Sequence, residues 1–290
     1  MNSSINMFKY LFNYEQSNIF SFLPFDEVIY IIETLLDSNI TIIQRNNILK
    51  SFSLYLSSYN EYLDYEEIHL PLFNTFTKLR NYIKKLSNVP TLHNLPKNLT
   101  HLEFDLDFDE EISPGDLPQT LIEIRFGESF NQPILPNVFP SSLKILSFGD
   151  YFNHFLSPNV LPEGLTELYL SKEFCCTILP NVLPSSLQIL QLKGFNLPIS
   201  PNVLPKNLKK LYFGDFNQPI LPNVLPNSLQ VLSFGTRFNQ PIPNNVLPHS
   251  LINIRFPFKN IALNLLTNED KERFIDKFDF YFENRNLNIF

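Results

Sequence analysis

Apolar residues recur along most of the chain in a fixed pattern that begins with a proline-containing pair. Leu-Pro or Phe-Pro is followed, three residues after the proline, by a leucine, and this arrangement returns every 21 or 22 residues. The anchor prolines are Pro96, Pro118, Pro140, Pro162, Pro184, Pro205, Pro226 and Pro248. A fixed period of this size indicates stacked coils that share one plan.

Each anchor leads into an apolar triplet with the spacing L-x-x-L-x-L or L-x-x-L-x-F, in which isoleucine sometimes takes the middle place. The last two members are two residues apart, so they point to one side of a β-strand. A unit of this length is too short for a strand and a long returning helix. We therefore predict an α+β fold class, in which residues 91–257 form a right-handed parallel β-solenoid of about eight coils with one short strand each.

The rest of each unit is typical of turns. Glycine follows the strand at Gly127, Gly149, Gly214 and Gly235. We expect positive φ angles at these glycines. A Phe-Asn pair follows, as at Phe216-Asn217, and then a Pro-Asn-Val run, as at Asn223. The pattern predicts that Phe216 fills the inside of its coil, and that the repeated asparagines are buried and bind backbone groups left unpaired by a tight bend.

The phrase Phe-Asn-x-Pro-Ile, which recurs in register, resembles the FNIP repeat, a relative of leucine-rich repeats. The leucine-rich pattern is L-x-x-L-x-L-x-x-[NC]-x-L, and Phe174-Cys175 matches its exchange of Asn for Cys. This position predicts that Cys175 is a core residue. The asparagine comes four or five residues after the last strand position here, so we expect a wider bend than in an ordinary leucine-rich repeat.

Helical spacing dominates residues 21–90. Pro24 followed by Asp26 and Glu27 is a helix start signal, and apolar residues continue at helical spacing as far as Leu86. The order Leu-Pro-x-Asp, helix, short acidic break and second helix resembles an F-box over roughly residues 21–62. The chain departs from that family because it contains no tryptophan.

In the F-box family this segment packs on a Skp-type adaptor and tethers a substrate reader to a cullin–RING ubiquitin ligase. The resemblance implies that the adaptor-binding residues are Leu23, Pro24, Asp26, Ile32, Leu35 and Leu36. A plain helical cap over the first coil, which solenoids require, is the alternative. An F-box joined to FNIP repeats resembles an architecture of amoebae and of the large DNA viruses that infect them.

The two ends of the chain complete the predicted organisation. Residues 1–20 are interpreted as a lead-in and residues 258–290 as a C-terminal cap. Thr267 or Asn268 is expected to start a cap helix with acidic residues in its first turn. The apolar stripe of this helix is predicted to comprise Phe274, Ile275, Phe278 and either Tyr281 or Phe282.

Charge and cysteine content narrow the function classes. The 290 residues carry a net charge of −7, which argues against broad nucleic-acid binding. Two adjacent cysteines, Cys175 and Cys176, are typical of a reducing compartment and not of a disulfide framework. No apolar run approaches the length of a membrane span, and Met1 to Tyr10 lack the pattern of a signal peptide. We therefore expect a cytoplasmic protein, in the host cytoplasm if it is viral.

Motifs of catalysis do not occur in the sequence. It lacks C-x-x-C, H-E-x-x-H, a glycine-rich phosphate loop and G-x-S-x-G. The five histidines are scattered and do not have the spacing of a metal cluster. We therefore expect no catalytic residue, no metal and no cofactor, and the chain is not predicted to be an enzyme.

The candidate binding surface is the side of the strands that points away from the core. Its most apolar and aromatic members, together with one arginine, are predicted to bind a target protein: Arg125, Ile145, Tyr169, Ile189, Tyr212 and Val231. The alternative is that they only pack side by side along the sheet. The sequence thus predicts a non-catalytic substrate receptor of a cullin–RING ligase, or alternatively an interaction scaffold with no ligase link.

Overall fold

The structure is a computed structural model that describes residues 84–93, 95–257 and 264–274, and the backbone of 278–280. All of these belong to one compact unit, Lys84–Phe290. The predicted lead-in and the six F-box-like residues from Leu23 to Leu36 lie outside the described residues. Their roles therefore stay predictions.

A single parallel sheet runs through the described residues, and its ten strands follow one another in chain order. The strands are β1 Lys85–Val89, β2 His101–Phe104, β3 Glu123–Arg125, β4 Ile145–Ser147, β5 Glu167–Leu170, β6 Ile189–Leu192, β7 Lys210–Phe213, β8 Val231–Ser233, β9 Asn253–Phe256 and β10 Phe278–Phe280. The eight from β2 to β9 are those that the anchor prolines predict. Their parallel stacking is confirmed, and together they delimit seven complete turns of a solenoid.

Each anchor forms the same β-turn. In all eight coils, the N–H of the leucine three residues after the proline donates to the proline carbonyl, with N···O distances of 3.0–3.2 Å. That leucine is buried in each case. Because the same turn precedes every strand from β2 to β9, the strands begin in the same phase, and equivalent residues pair across the sheet.

Hydroxyl groups in the anchor turns bind each coil to the one before it. The side chains of Thr120, Ser142, Ser186, Ser228 and Ser250 donate to the carbonyl of the first triplet leucine one coil earlier. The Ser142 Oγ to Leu121 O distance is 2.6 Å, for example. These bonds satisfy carbonyl groups at the point where the strand leaves the turn, and the sequence analysis did not anticipate them.

Two columns of phenylalanine rings fill the inside of the coils. The first column holds Phe108 and the phenylalanine of each Phe-Asn or Phe-Cys pair, with 5.8–6.4 Å between ring centroids of neighbouring coils. The second column holds the last triplet residue wherever it is phenylalanine. In five coils this ring stacks on the first-column ring of its own coil at 3.8–4.2 Å. Phe216 is 1% exposed, which confirms its predicted place inside the coil.

Close packing of successive coils explains why glycine follows the strands. The prediction of a positive φ angle at these glycines is wrong. Among the described glycines, only Gly115 has a positive φ. A Cβ atom on Gly149 would lie 1.9 Å from the carbonyl oxygen of Gly127, and one on Gly235 would lie 1.8 Å from that of Gly214. These positions require glycine because the backbone of the preceding coil occupies the space of a side chain.

The two sets of asparagines have different roles, and neither set is buried as predicted. The asparagine of the Pro-Asn-Val run is exposed and has a φ of 65–67° at six positions, Asn137, Asn159, Asn181, Asn202, Asn223 and Asn245. Asparagine tolerates this left-handed conformation better than most residues.

The asparagine of Phe-Asn makes the backbone bonds that were expected. Asn131 Oδ1 accepts the N–H of Asn153 at 3.0 Å, and Asn217 Oδ1 accepts that of Asn239 at 2.8 Å. Asp109 provides the same contact to Asn131 at 2.8 Å. These side chains are exposed or half-buried, so they join neighbouring coils along the surface and not in the core.

Both ends of the sheet differ from the prediction. Helical spacing was expected to continue to Leu86, but Lys85–Val89 is strand β1 and pairs with β2. The carbonyl of Lys84 accepts the N–H groups of Thr100 and His101 at 2.8 and 3.0 Å. Sheet pairing thus overrides the local helical pattern, and the sheet begins inside the range 21–90 assigned to the helical domain.

At the other end, helix α1 spans Asn268–Phe274. Thr267 Oγ1 accepts the N–H of Asp270 at 3.2 Å, so Thr267 is the predicted N-cap residue. Arg273 Nη2 donates to the carbonyls of Pro248 and Leu251, which holds the helix against the last anchor turn.

The predicted apolar stripe of this helix is wrong at Phe278. That residue begins β10, which pairs with β9 through Phe278 and Ile254. Phe274 is buried at the end of α1, as predicted, whereas Ile275, Tyr281 and Phe282 lie outside the described residues.

Candidate functional site

The outward side of strands β2–β9, named here the strand face, consists of two parallel columns of side chains. The first column is His101, Glu123, Ile145, Glu167, Ile189, Lys210, Val231 and Asn253. The second column is Glu103, Arg125, Ser147, Tyr169, Gln191, Tyr212, Ser233 and Arg255. The residue between the two columns on each strand is buried, so the columns lie on the opposite side from the core.

The structure places all six predicted target-binding residues on this strand face. Arg125, Tyr169 and Tyr212 belong to the second column, on β3, β5 and β7. Ile145, Ile189 and Val231 belong to the first column, on β4, β6 and β8. Arg125 is exposed and the other five are half-buried. Their role in binding stays a prediction.

One member of the second column is not on the surface as expected. Ser233 is 1% exposed, whereas Ser147 and Gln191 at the equivalent positions are half-buried. Neighbouring atoms therefore cover the second column at β8, the strand that follows that of Tyr212.

Hydrogen bonds and ion pairs hold the large polar side chains of β3 and β5 in place. Arg125 Nε lies 2.5 Å from Glu123 Oε1, and His101 Nε2 lies 3.7 Å from the other oxygen of the same carboxylate. On β5, the Tyr169 hydroxyl donates to Glu167 Oε2 at 2.7 Å. In both strands a first-column carboxylate fixes the second-column side chain two residues later.

The environment of Tyr169 raises the pKa of its phenol above the ordinary value. Burial is the largest cause, followed by the hydrogen bond to the Glu167 carboxylate. The hydroxyl of Tyr169 therefore stays protonated further into the alkaline range than that of an ordinary tyrosine.

Odd- and even-numbered strands carry different side chains on the strand face. On β3, β5, β7 and β9, the second column holds a long or aromatic residue: Arg125, Tyr169, Tyr212 and Arg255. On β4, β6 and β8, it holds a smaller polar residue: Ser147, Gln191 and Ser233. The first column alternates in the opposite sense, because its branched aliphatic residues lie on the even strands. The face therefore repeats every two coils, although the core repeats every coil.

This two-coil period was missed in the sequence analysis, although its signal is present there. The signal is that alternate repeats carry different residue types at the same strand position. Ser147, Gln191 and Ser233 were left out of the candidate site. Comparing alternate repeats at one fixed position would have identified them.

Cys175 lies outside the core, contrary to the prediction. Its side chain is exposed and that of Cys176 is half-buried. The backbone N–H of Cys175 donates to Asn153 Oδ1 at 3.0 Å, as the equivalent asparagines do in other coils. Cys175 thus occupies the position of the repeated asparagine. That position is on the surface, which is why Cys175 is exposed and not part of the core. Burial raises the pKa of the Cys176 thiol.

Neither a metal-binding cluster nor a membrane-spanning helix occurs in the described part of the chain. Within it, no group of three or more His, Cys, Asp or Glu side chains could hold a metal ion. Nor does any helix of those residues have the length and apolar character needed to cross a membrane.

Comparison with known families agrees with the repeat period. The FNIP Repeat family matches residues 88–129, 130–173, 177–215 and 216–259, which together cover more than half of the chain. The chain belongs to the FNIP-repeat family. Each match of the FNIP repeat contains one even and one odd strand between β2 and β9. The unit that defines the family thus has the two-coil period of the strand face.

A solved structure is also similar to this FNIP-repeat chain. It is the crystal structure of CroV588, described as a novel circular LRR protein structure, with 45% sequence identity and a TM-score of 0.54. The similarity covers 61% of this chain and 28% of CroV588, so the matched region is a small part of that protein. This likeness confirms a leucine-rich-repeat-like solenoid. No curated protein matches the chain.

Proposed function

We propose that this FNIP-repeat protein is a non-catalytic substrate receptor of a cullin–RING ubiquitin ligase. In this proposal the strand face binds a target protein, and residues 21–62 bind a Skp-type adaptor. FNIP-repeat solenoids have the form of a repeat scaffold for protein interaction. The adaptor part rests on the F-box resemblance of Leu23, Pro24 and Asp26.

One observation carries the binding part of the proposal, namely a varied face on a uniform core. Inside the coils, the triplet leucines and the phenylalanine rings repeat with little change. On the strand face, the same positions hold acids, bases, tyrosines and branched aliphatic residues. Packing along the sheet alone does not require this diversity. Eight strands about 4.8 Å apart also offer a surface roughly 34 Å long, which suits a protein partner better than a small molecule.

A second candidate is an interaction scaffold with no ligase link. It requires only the repeat solenoid, which the FNIP match covers from residue 88 onward. In this alternative the N-terminal segment serves only as a cap of the solenoid.

Two double variants of the full chain separate these functions. Leu23→Ala with Pro24→Ala should abolish binding of a purified Skp-type adaptor and leave target capture intact. Tyr169→Ala with Tyr212→Ala should abolish target capture and leave adaptor binding intact. Binding is measured by pull-down from cell lysate with mass spectrometry, and by titration of the purified adaptor. Circular dichroism establishes that each variant is folded.

The outcomes differ clearly between the candidates. Adaptor binding that survives in the Leu23 and Pro24 variant would disprove the F-box assignment of those residues. A lower melting temperature of that variant, with no adaptor bound even by the unmodified chain, would favour the cap. Target capture that is unchanged by the tyrosine substitutions would remove the strand face from the proposal.

A further inference from the structure

We propose that the second column of the strand face is a docking groove for a polyproline II segment of the target protein. The segment would cross the strands, with the rings of Tyr169 and Tyr212 against it. This inference rests on the proposed function, because it specifies what the strand face recognises. It follows from the two-coil spacing of the two half-buried tyrosines, together with the hydrogen bond that holds Tyr169 in place.

The spacing of the tyrosines sets the period of the ligand. Tyr169 and Tyr212 are in register with Gln191 on the strand between them. Neighbouring strands are about 4.8 Å apart, so the two tyrosines repeat at about 9.6 Å. Arg125 lies one further two-coil step beyond Tyr169. A ligand that fits this row must present equivalent groups at intervals close to that distance.

Polyproline II matches the interval better than the other regular conformations. It has three residues per turn and a rise of about 3.1 Å, so equivalent side chains recur about every 9.3 Å on one side. In an extended strand, residues two apart are separated by about 6.6 Å and residues four apart by about 13 Å, and neither fits. In an α-helix, residues seven apart recur at about 10.5 Å and drift by about 20° around the axis. The mismatch of the helix would grow with each two-coil step.

The chemistry of the row also suits such a segment. Aromatic grooves are a recurring means of binding proline-rich segments, which lose little entropy because they are already extended. The Tyr169 ring is half-buried and its hydroxyl is held by Glu167, so it is positioned before binding. The smaller Gln191, on the strand between Tyr169 and Tyr212, leaves room for a projecting ring of the ligand between the two tyrosines.

Charge determines the preferred end of the ligand. Glu103 on β2 pairs in register with Arg125 on β3, and it is exposed. Lys210, on the same strand as Tyr212, is also exposed. A basic residue on the ligand is therefore favoured beyond Arg125, next to Glu103, and disfavoured next to Lys210.

The test uses a defined probe and the full chain. Six strand steps from Arg125 to Arg255 span about 29 Å, which equals roughly nine residues of polyproline II. The probe is a fluorescein-labelled nonaproline with one arginine at its N-terminus, and binding is measured by fluorescence anisotropy. One control probe has the same composition in D-proline, which forms a helix of opposite hand. A second control is a glycine–serine peptide of equal length and charge.

We expect saturable binding of the L-proline probe and at least tenfold weaker binding of both controls. Tyr169→Ala with Tyr212→Ala should weaken the L-proline probe at least tenfold. Tyr151→Ala is the matched control, because this tyrosine is 57% exposed and lies in a turn off the strand face. Gln191→Trp fills the space between the two tyrosines without removing either of them. It should weaken binding as much as the double variant.

Several results would overturn the inference. They are no binding of the L-proline probe to the folded chain, equal binding of the D-proline probe, or equal binding to the double tyrosine variant. The lysate pull-down distinguishes this from failure of the proposed function. If the tyrosine substitutions abolish target capture while the L-proline probe does not bind, the strand face binds its target in another conformation. If the tyrosine substitutions change neither target capture from lysate nor binding of the L-proline probe, the strand face is not the binding site.

Discussion

Removing one ring from the phenylalanine columns tests whether ring stacking stabilises the solenoid beyond burial alone. Phe195 and Phe216 are both 1% exposed and occupy the same position in successive coils. Phe195 stacks on Phe174 and Phe216, each with centroids 6.4 Å away. Phe216 stacks on Phe195 and Phe238 and has a third neighbour, Phe213, at 4.2 Å in its own coil.

These contacts allow the magnitude to be estimated. Phe→Ala in a core typically lowers the free energy of unfolding by about 3–5 kcal/mol. An aromatic pair contributes about 0.5–1.5 kcal/mol beyond the area it buries. Phe216→Ala should therefore destabilise the solenoid by about 0.5–1.5 kcal/mol more than Phe195→Ala. Tyr212→Ala, on the strand face, should have a much smaller effect than either.

Urea unfolding followed by circular dichroism measures the three variants, provided that the m-value is unchanged. Because stacked coils can open regionally, amide hydrogen exchange of peptides from residues 195–240 gives the local free energy of opening. Equal losses for Phe195→Ala and Phe216→Ala would refute the contribution of the third ring. Equal losses for Phe216→Ala and Tyr212→Ala would refute the assignment of inside and outside.

Three further changes test other features of the coils. Gly149→Ala should lower the melting temperature strongly, because its Cβ would meet the carbonyl of Gly127 at 1.9 Å; a thermal melt like that of the unmodified chain would contradict the close packing. Asn223→Ala should cost about 1–2 kcal/mol, because alanine resists the left-handed conformation, whereas Asn223→Gly should be nearly neutral in urea unfolding. The raised pKa of Tyr169 contributes stability that is present below the unfolded tyrosine pKa of about 10 and is lost as the pH rises through the folded value. Tyr169→Phe should consequently remove a late step from the alkaline phenolate titration, and identical titrations would contradict this.

The repeat period made the strands and their order predictable from sequence. Eight strands and their buried triplets follow from the spacing of proline and leucine, and the position of Phe216 follows from the recurring Phe-Asn pair. The same repetition could not distinguish the reasons for a glycine. A positive φ and a clash with the preceding coil both require glycine at Gly149, and only the coordinates of Gly127 decide between them.

The ends of the sheet were not predictable in this way, because they lack the repeat. Strand β1 has no anchor proline before it, and its apolar residues also fit a helix. At the other end, Phe278 and Phe280 are two apart and form a strand, whereas Phe274 and Phe278 have helical spacing. Pairing with β9 decides the outcome, and pairing with a strand distant in sequence is not visible in a local pattern.

The alternation of the strand face restricts how such an array can change in length. One coil can be lost with little change to the interior, because the first-column rings and the anchor turns recur in every coil from β2 to β9. Loss of the coil that carries β6 would nevertheless bring Tyr169 and Tyr212 onto adjacent strands, about 4.8 Å apart. Insertion or deletion of two coils preserves the alternation of side chains on the strand face. Insertion or deletion of one coil places two strands of the same type next to each other. The repeating unit of the core is thus one coil, and the unit of duplication that keeps the surface intact is two.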